Sequence, residues 1–120
     1  MKPNGNQYKV IVVDDEVMAV KAICCIIENQ CPAFEVVGTA GNGSEALELI
    51  KKTSPDLVLT DVEMPVKNGL ELVREASGMR PDLCFCIISG YQDFEYARDA
   101  FRGGVLDYLT KPIVPSQMLR

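Results

Sequence analysis

Short unbroken apolar runs alternate along this 120-residue chain with longer stretches in which apolar positions recur every third or fourth residue. The first pattern marks a strand covered on both faces, the second a helix with one buried face. Tyr8 to Val13 is nearly continuous and β-branched, and it stops at Asp14-Asp15-Glu16. From Glu16 the apolar spacing changes to Val17, Val20, Ile23 or Cys24, and Ile27, which predicts a helix ended by Pro32. Phe34 to Ala40 predicts a second strand. Gly41-Asn42-Gly43-Ser44 is turn chemistry, and Asn42 stands three residues before Glu45. Asn42 can therefore cap a second helix, with Glu45 reaching back and Ala46, Leu47, Leu49 and Ile50 facing the core. Ser54-Pro55 breaks that helix.

Asp56 leads into a third strand, Leu57-Val58-Leu59-Thr60-Asp61, an apolar run that ends at a lone carboxylate. Asn68-Gly69 turns the chain, and Leu70, Leu72, Val73 and Ala76 make a third helical face that Gly78 and Pro81 are expected to close. Leu83 to Ile88 is a fourth strand, ending at Ser89-Gly90. Asp93 can cap a fourth helix with Phe94, Ala97 and Phe101 inward, and Gly103-Gly104 terminates it. Val105 to Leu109 predicts the fifth strand, followed by Thr110-Lys111-Pro112. Pro115 to Arg120 begins a fifth helix that the chain does not complete, and Met1 to Gln7 reads as a disordered leader. Residues 8–120 then form one domain.

Strand and helix alternate, and strands this apolar need cover on both faces. The expected fold is α/β, a three-layer sandwich with a parallel sheet between helices. Right-handed crossovers restrict the topology, and the flavodoxin-like strand order 2-1-3-4-5 is the natural solution.

Composition narrows the function. An apolar content of 48% with 24% charged residues is that of a globular domain. A net charge of −5 gives no bulk attraction to nucleic acid or to an anionic membrane. No apolar run approaches the roughly 18 residues of a membrane span, so a cytoplasmic protein is expected. The five cysteines are odd in number and mostly lie in apolar segments, which predicts buried, reduced thiols. Histidine is absent, which removes Ser-His-Asp and Cys-His catalysis and most mixed Cys/His zinc sites.

In a sheet of this order the ligand site lies beyond the carboxyl ends of the strands, at the switch point between the first and third. Asp14 and Asp15 arrive there from strand one, Asp61 from strand three, Ser89 from strand four and Lys111 from strand five. Each has a structural explanation when taken alone; their convergence on one rim does not. Three carboxylates crowded together repel unless a cation joins them, and an all-oxygen donor set suits a hard divalent ion, Mg²⁺ or Mn²⁺. A carboxylate can attack phosphorus to form an acyl phosphate. Lys111 can pair with a phosphoryl oxygen or rest in an ion pair with Asp61, and the Ser89 hydroxyl can donate to another phosphoryl oxygen.

At these residues the sequence resembles the receiver domain of two-component response regulators. The matching segments are Val12-Val13-Asp14-Asp15-Glu16, Asp61-Val62-Glu63-Met64-Pro65 with Gly69, Ser89-Gly90, and Asp107-Tyr108-Leu109-Thr110-Lys111-Pro112. The resemblance implies that Asp61 takes a phosphoryl group from the phosphohistidine of a sensor histidine kinase. It implies that Asp15, Asp61 and the Glu63 backbone carbonyl bind Mg²⁺ directly, with Asp14 acting mainly through water. Ser89 and Tyr108 resemble the family's switch pair, which alters the surface of helix four, strand five and helix five, a candidate homodimer face. Lys111-Pro112 resembles the family's cis peptide. The segment Ser89 to Ala97 is similar to receivers that precede an AraC-type DNA-binding module, so DNA would be contacted only through an output domain absent from this chain. Such a protein catalyses only its own phosphorylation and dephosphorylation.

The alternative is a haloacid-dehalogenase-type phosphatase with a phospho-aspartate intermediate. Glu63 stands where those enzymes usually carry a second aspartate, and the strand is the third rather than the first. A flavodoxin-like cofactor binder is the third reading. Against it, Asp14-Asp15 would repel an anion, and no phosphate-cradling loop follows strand one.

Overall fold

Parallel pairing of five strands explains the unbroken apolar runs. The computed structural model describes residues 7–61, 69–89 and 107–110, with the backbone alone at 70, 89 and 107–110. The strands are β1 (Tyr8–Val13), β2 (Phe34–Ala40), β3 (Leu57–Asp61), β4 (Cys84–Ser89) and β5 (Asp107–Thr110). They form one sheet in the order β2-β1-β3-β4-β5, and every neighbouring pair is parallel. This is the flavodoxin-like order expected from the sequence. The helices described are α1 (Val17–Gln30), α2 (Gly43–Thr53) and α3 (Gly69–Met79).

Two apolar cores lie on opposite faces of the sheet. On one face Ile11, Val13, Val58, Phe85 and Ile87 pack with Ala46 and Ile50 of α2 and with Leu72, Val73 and Ala76 of α3. On the other, Val10, Val12, Leu59, Cys86 and Ile88 pack with Ile23 and Ile27 of α1. Alternate residues of β1 thus serve opposite cores, as the period-two geometry of a strand requires. Each buried valine, leucine, isoleucine or phenylalanine among these stabilises the fold by roughly 1.5–3 kcal/mol.

The helices are held in different ways. Asn42 caps α2 by accepting from Glu45 N at 2.9 Å, and Glu45 Oε1 reaches back to accept from Gly41 N at 3.0 Å. Lys51 and Lys52 in the last turn suit the negative end of the helix. Its end is abrupt, because Ser54 is left-handed (φ 48°) and Pro55 follows. α1 has Glu16 at its N-cap with no side-chain cap bond and depends on its buried stripe.

Several expectations shift. Val17, expected on the core face of α1, is 66% exposed, and Met18 beside it 74%. Ile23 and Ile27, about two and three turns on from Val17, reach the sheet. Gly78 does not close α3 but lies inside it, and the helix runs to Met79. A single glycine costs only about 1 kcal/mol in a helix, so the stop comes where Pro81 lacks an N–H. Thiol burial is mixed as well. All five cysteines are free, but Cys25 and Cys84 are exposed, Cys24 is half-buried, and Cys31 and Cys86 are buried. Cys84 is the first residue of β4 and is exposed, while Cys86, two residues along, packs on the α1 side.

Residues 1–6 of the predicted leader, Glu63, Lys111-Pro112 and the predicted fourth and fifth helices lie outside the described residues. Gln7, the last residue of that leader, is tied to the fold, its side-chain amide donating to Pro32 O at 2.9 Å and to Phe34 O at 3.2 Å. Among the described residues, no helix is long and apolar enough to cross a membrane.

Candidate functional site

The switch point lies between β1 and β3. Their register pairs Val13 with Thr60, so Asp14, the residue after β1, comes level with Asp61, the last residue of β3. The two neighbouring strands therefore deliver carboxylates side by side at one rim. Asp14 (3% exposed) and Asp61 (7%) are buried, while Asp15 faces solvent. One carboxylate oxygen from each lies within 4.8 Å of those of the other two.

Local hydrogen bonds fix the backbone around this cluster. Asp14 N donates to Ala40 O at 3.0 Å, which ties the end of β1 to the end of β2. Asp14 Oδ1 accepts from Glu16 N at 3.0 Å, a turn that aims the carboxylate back toward the sheet as α1 begins. Thr60, fully buried, donates its hydroxyl to Asp61 O at 2.9 Å. Thr60 stands as a lone hydroxyl in an apolar strand, a signal that the sequence carried and that the reading of the rim left unused.

On the far side of β3, Asp61 pairs with Ile88 and places Ser89 one residue beyond it, at the end of β4. β5 brings Tyr108 opposite Ile87 and Thr110 opposite Ser89. The backbones of Ser89 and Tyr108 thus sit on adjacent strands, and Thr110 ends β5 immediately before Lys111. Three of the sequence-predicted groups, Asp14, Asp15 and Asp61, are brought together by their side chains; Ser89 and Tyr108 are placed by strand position.

The donor set fits a hard cation, since three carboxylates offer oxygen ligands and, among the described residues, no histidine or cysteine joins the cluster. Asp14, Asp15 and Asp61 form a group able to hold a metal ion. A cleft of about 440 Å³ opens beside it, between α1 and the β2–α2 turn, with Asp14, Asp15, Val17, Lys21, Thr39 and Glu45 on its walls. The cleft was not legible in the chain, because its walls meet through strand pairing and the packing of α1 on the sheet.

A five-stranded parallel sheet with an acidic cluster at its switch point defines a class of flavodoxin-like phosphoryl or metal sites. Residues 10–120 match the response regulator receiver domain family, and the chain belongs to that family. It is 39% identical over 112 residues to the uncharacterized transcriptional regulatory protein YesN of Bacillus subtilis, covering 93% of this chain and 30% of that protein. It is likewise 39% identical over 111 residues to the transcriptional regulatory protein HptR of Staphylococcus aureus, covering 92% of this chain and 43% of HptR. The chain thus spans less than half the length of these relatives. Among solved structures, the REC domain of AraT, a response regulator from Geobacillus stearothermophilus, superposes with a TM-score of 0.86 at 37% identity. That match covers 93% of this chain and 87% of the AraT chain. The phosphatase reading gives way to these matches, which place the chain among receiver domains of response regulators.

Proposed function

We propose that Asp61 is the phosphoacceptor of this receiver domain and that Mg²⁺, or Mn²⁺, is its cofactor. The observation that carries the reading is the gathering of Asp14, Asp15 and Asp61 within 4.8 Å at the carboxyl ends of β1 and β3. Asp15 and Asp61 are the direct ligands, with the Glu63 backbone carbonyl, and Asp14 acts mainly through water. Mg²⁺ bound there supplies positive charge that offsets the carboxylates and the transferring phosphoryl group.

A carboxylate oxygen of Asp61 attacks phosphorus, the P–N bond to a phosphohistidine breaks, and the imidazole leaves with its electron pair. The product is an acyl phosphate. The chain contains no histidine, so the donor lies outside it; a sensor histidine kinase is the partner proposed. Lys111 pairs with one phosphoryl oxygen and Ser89 donates to another. Ser89 moving toward the phosphate makes room for the Tyr108 ring to turn inward, which is supported by their positions on the adjacent strands β4 and β5. The altered face, formed by β5 and the predicted fourth and fifth helices, serves as a homodimer surface. In the longer protein that the relatives' lengths suggest, it controls a DNA-binding output domain in the cytoplasm. The chain turns over no separate substrate.

Incubation with acetyl phosphate and Mg²⁺, followed by intact mass, tests the acceptor. Wild-type protein gains one acid-stable, base-labile phosphoryl group, and Asp61→Asn gains none. No adduct on the wild type, or an undiminished one on Asp61→Asn, overturns the reading.

A further inference from the structure

We propose that Leu49 of α2, seated on Gly38 of β2, locks a bulge that positions Asp14 in the acidic rim, making Gly38 and Leu49 positioning residues for the metal site. The inference rests on the reading of that rim as a metal site.

β1 and β2 pair from Tyr8 with Phe34 to Val10 with Val36, and then from Ile11 with Gly38 to Val13 with Ala40. The ladder skips Val37. Such bulges are rare between parallel strands, and one extra residue reverses the facing of everything after it. The two cores record the reversal. Phe34 and Val36 pack on the α1 side, whereas Val37 and Ala40 pack on the α2 and α3 side. In an unbroken strand, Phe34, Val36, Gly38 and Ala40 would share a single face.

The bulge decides what holds Asp14. Because Val37 is skipped, Ala40 stands opposite Val13, and its carbonyl accepts the Asp14 N–H at 3.0 Å. Without the skip Thr39 would stand there, and the β2–α2 turn would sit one residue, about 3.3 Å, further past the rim. Leu49 occupies the place that a side chain at position 38 would need. A Cβ on Gly38 would lie 2.8 and 2.9 Å from the two Leu49 methyls and 3.2 Å from Leu49 Cγ. The helix that carries Leu49 is tied to the same turn, since Asn42 accepts from Glu45 N and Glu45 Oε1 accepts from Gly41 N. Strand, turn and helix therefore set one register, and the Asp14 backbone hangs from its end.

Mg²⁺ titration calorimetry and amide exchange test this on the whole chain. Gly38→Val and Leu49→Ala each weaken Mg²⁺ binding about tenfold, the lower end of what support around metal ligands carries. Both also speed exchange of the Asp14 amide relative to Val12. The double variant Gly38→Ala/Leu49→Ala, in which a new methyl fills part of the space left by leucine, recovers affinity toward the wild type. Ile27→Ala, on the opposite face, lowers the melting temperature and leaves Mg²⁺ affinity unchanged. Wild-type affinity and a protected Asp14 amide in both single variants overturn the lock, as does an equal loss in Ile27→Ala. A wild type that takes no Mg²⁺ refutes the metal site itself, and exchange at Asp14 then still reports on the lock.

Discussion

Aspartates are used in opposite ways at the two ends of the sheet. At the amino end Asp56 is a clasp. Its Oδ2 accepts from Lys9 N at 2.7 Å, its N donates to Lys9 O at 2.8 Å, and its carbonyl accepts from Cys84 N at 3.4 Å. One residue thereby joins β1, β3 and β4. Close by, Arg80 donates to Pro55 O at 2.6 Å and to Asp82 Oδ2 at 3.3 Å, and that hydrogen bond holds the Asp82 carboxyl below the usual carboxylate range. At the carboxyl end three carboxylates crowd within 4.8 Å of one another. A clasp gains stability from each hydrogen bond it makes; a cluster of like charges gives stability up unless something bound offsets it. The difference separates residues that hold the fold together from those proposed to bind the metal.

The comparison breaks most sharply at Asp15. Asp15→Asn should weaken Mg²⁺ binding by about 100-fold or more, as losing a ligand exceeds losing outer support. Without metal it should raise the melting temperature, because relief of about 1 kcal/mol of repulsion amounts to about 4 °C in a domain of this size. Calorimetry and thermal melts read both, and a lower melting temperature would place Asp15 with the clasps.

Asp56→Ala should do the reverse. Loss of a hydrogen bond to a carboxylate costs about 1.5 kcal/mol, while the melting shift produced by saturating Mg²⁺ stays as in the wild type. A reduced Mg²⁺ response would show that the two ends are coupled.

A smaller effect is expected at Thr60, whose hydroxyl lies beside the acidic cluster but donates only to backbone. Thr60→Val should cost about 1 kcal/mol in denaturant unfolding and Thr60→Ser clearly less. Equal losses would show that the methyl, not the hydroxyl, matters.

The smallest effect concerns α1, which runs between the two ends. Burial and the nearby Glu28 carboxylate push the Cys24 thiol up, and burial does the same for Cys31. The folded state thus favours the neutral thiols. Their contribution is complete below the unfolded value of about 8.5 and is lost as pH rises through the raised folded values. Thermal melts above pH 9 should therefore fall more steeply for the wild type than for Cys24→Ala/Cys31→Ala, and parallel slopes would contradict this. Exposed Cys25 should react with a thiol reagent before either.

Much of this architecture was legible in the chain. The β-branched run of β1, the Asn42–Glu45 cap and the Ser54-Pro55 break are local signals, set by strand, cap and turn chemistry within a few residues. Asp14 and Asp61 were legible for the same reason, since each ends an apolar run and so marks the end of a buried strand, and Asp15 follows Asp14 directly. The exposure of Val17 was not, because a helical stripe shows which face turns inward but not where along the helix the sheet stops. Cys84 misled in the same way.

Local sequence thus determined the elements, the alternation that demands a parallel sheet, and the carboxylates at the strand ends. Tertiary structure alone decided the skipped Val37, the reversal that carries Ala40 beneath α2, and the bond from Ala40 to Asp14. Phe34 to Ala40 reads as one strand in which Gly38 is a local mark of a bulge, but Gly38 alone does not say which helix packs on it. That choice is made by a leucine on the next helix, because packing between elements, unlike propensity within one, depends on residues distant in the chain.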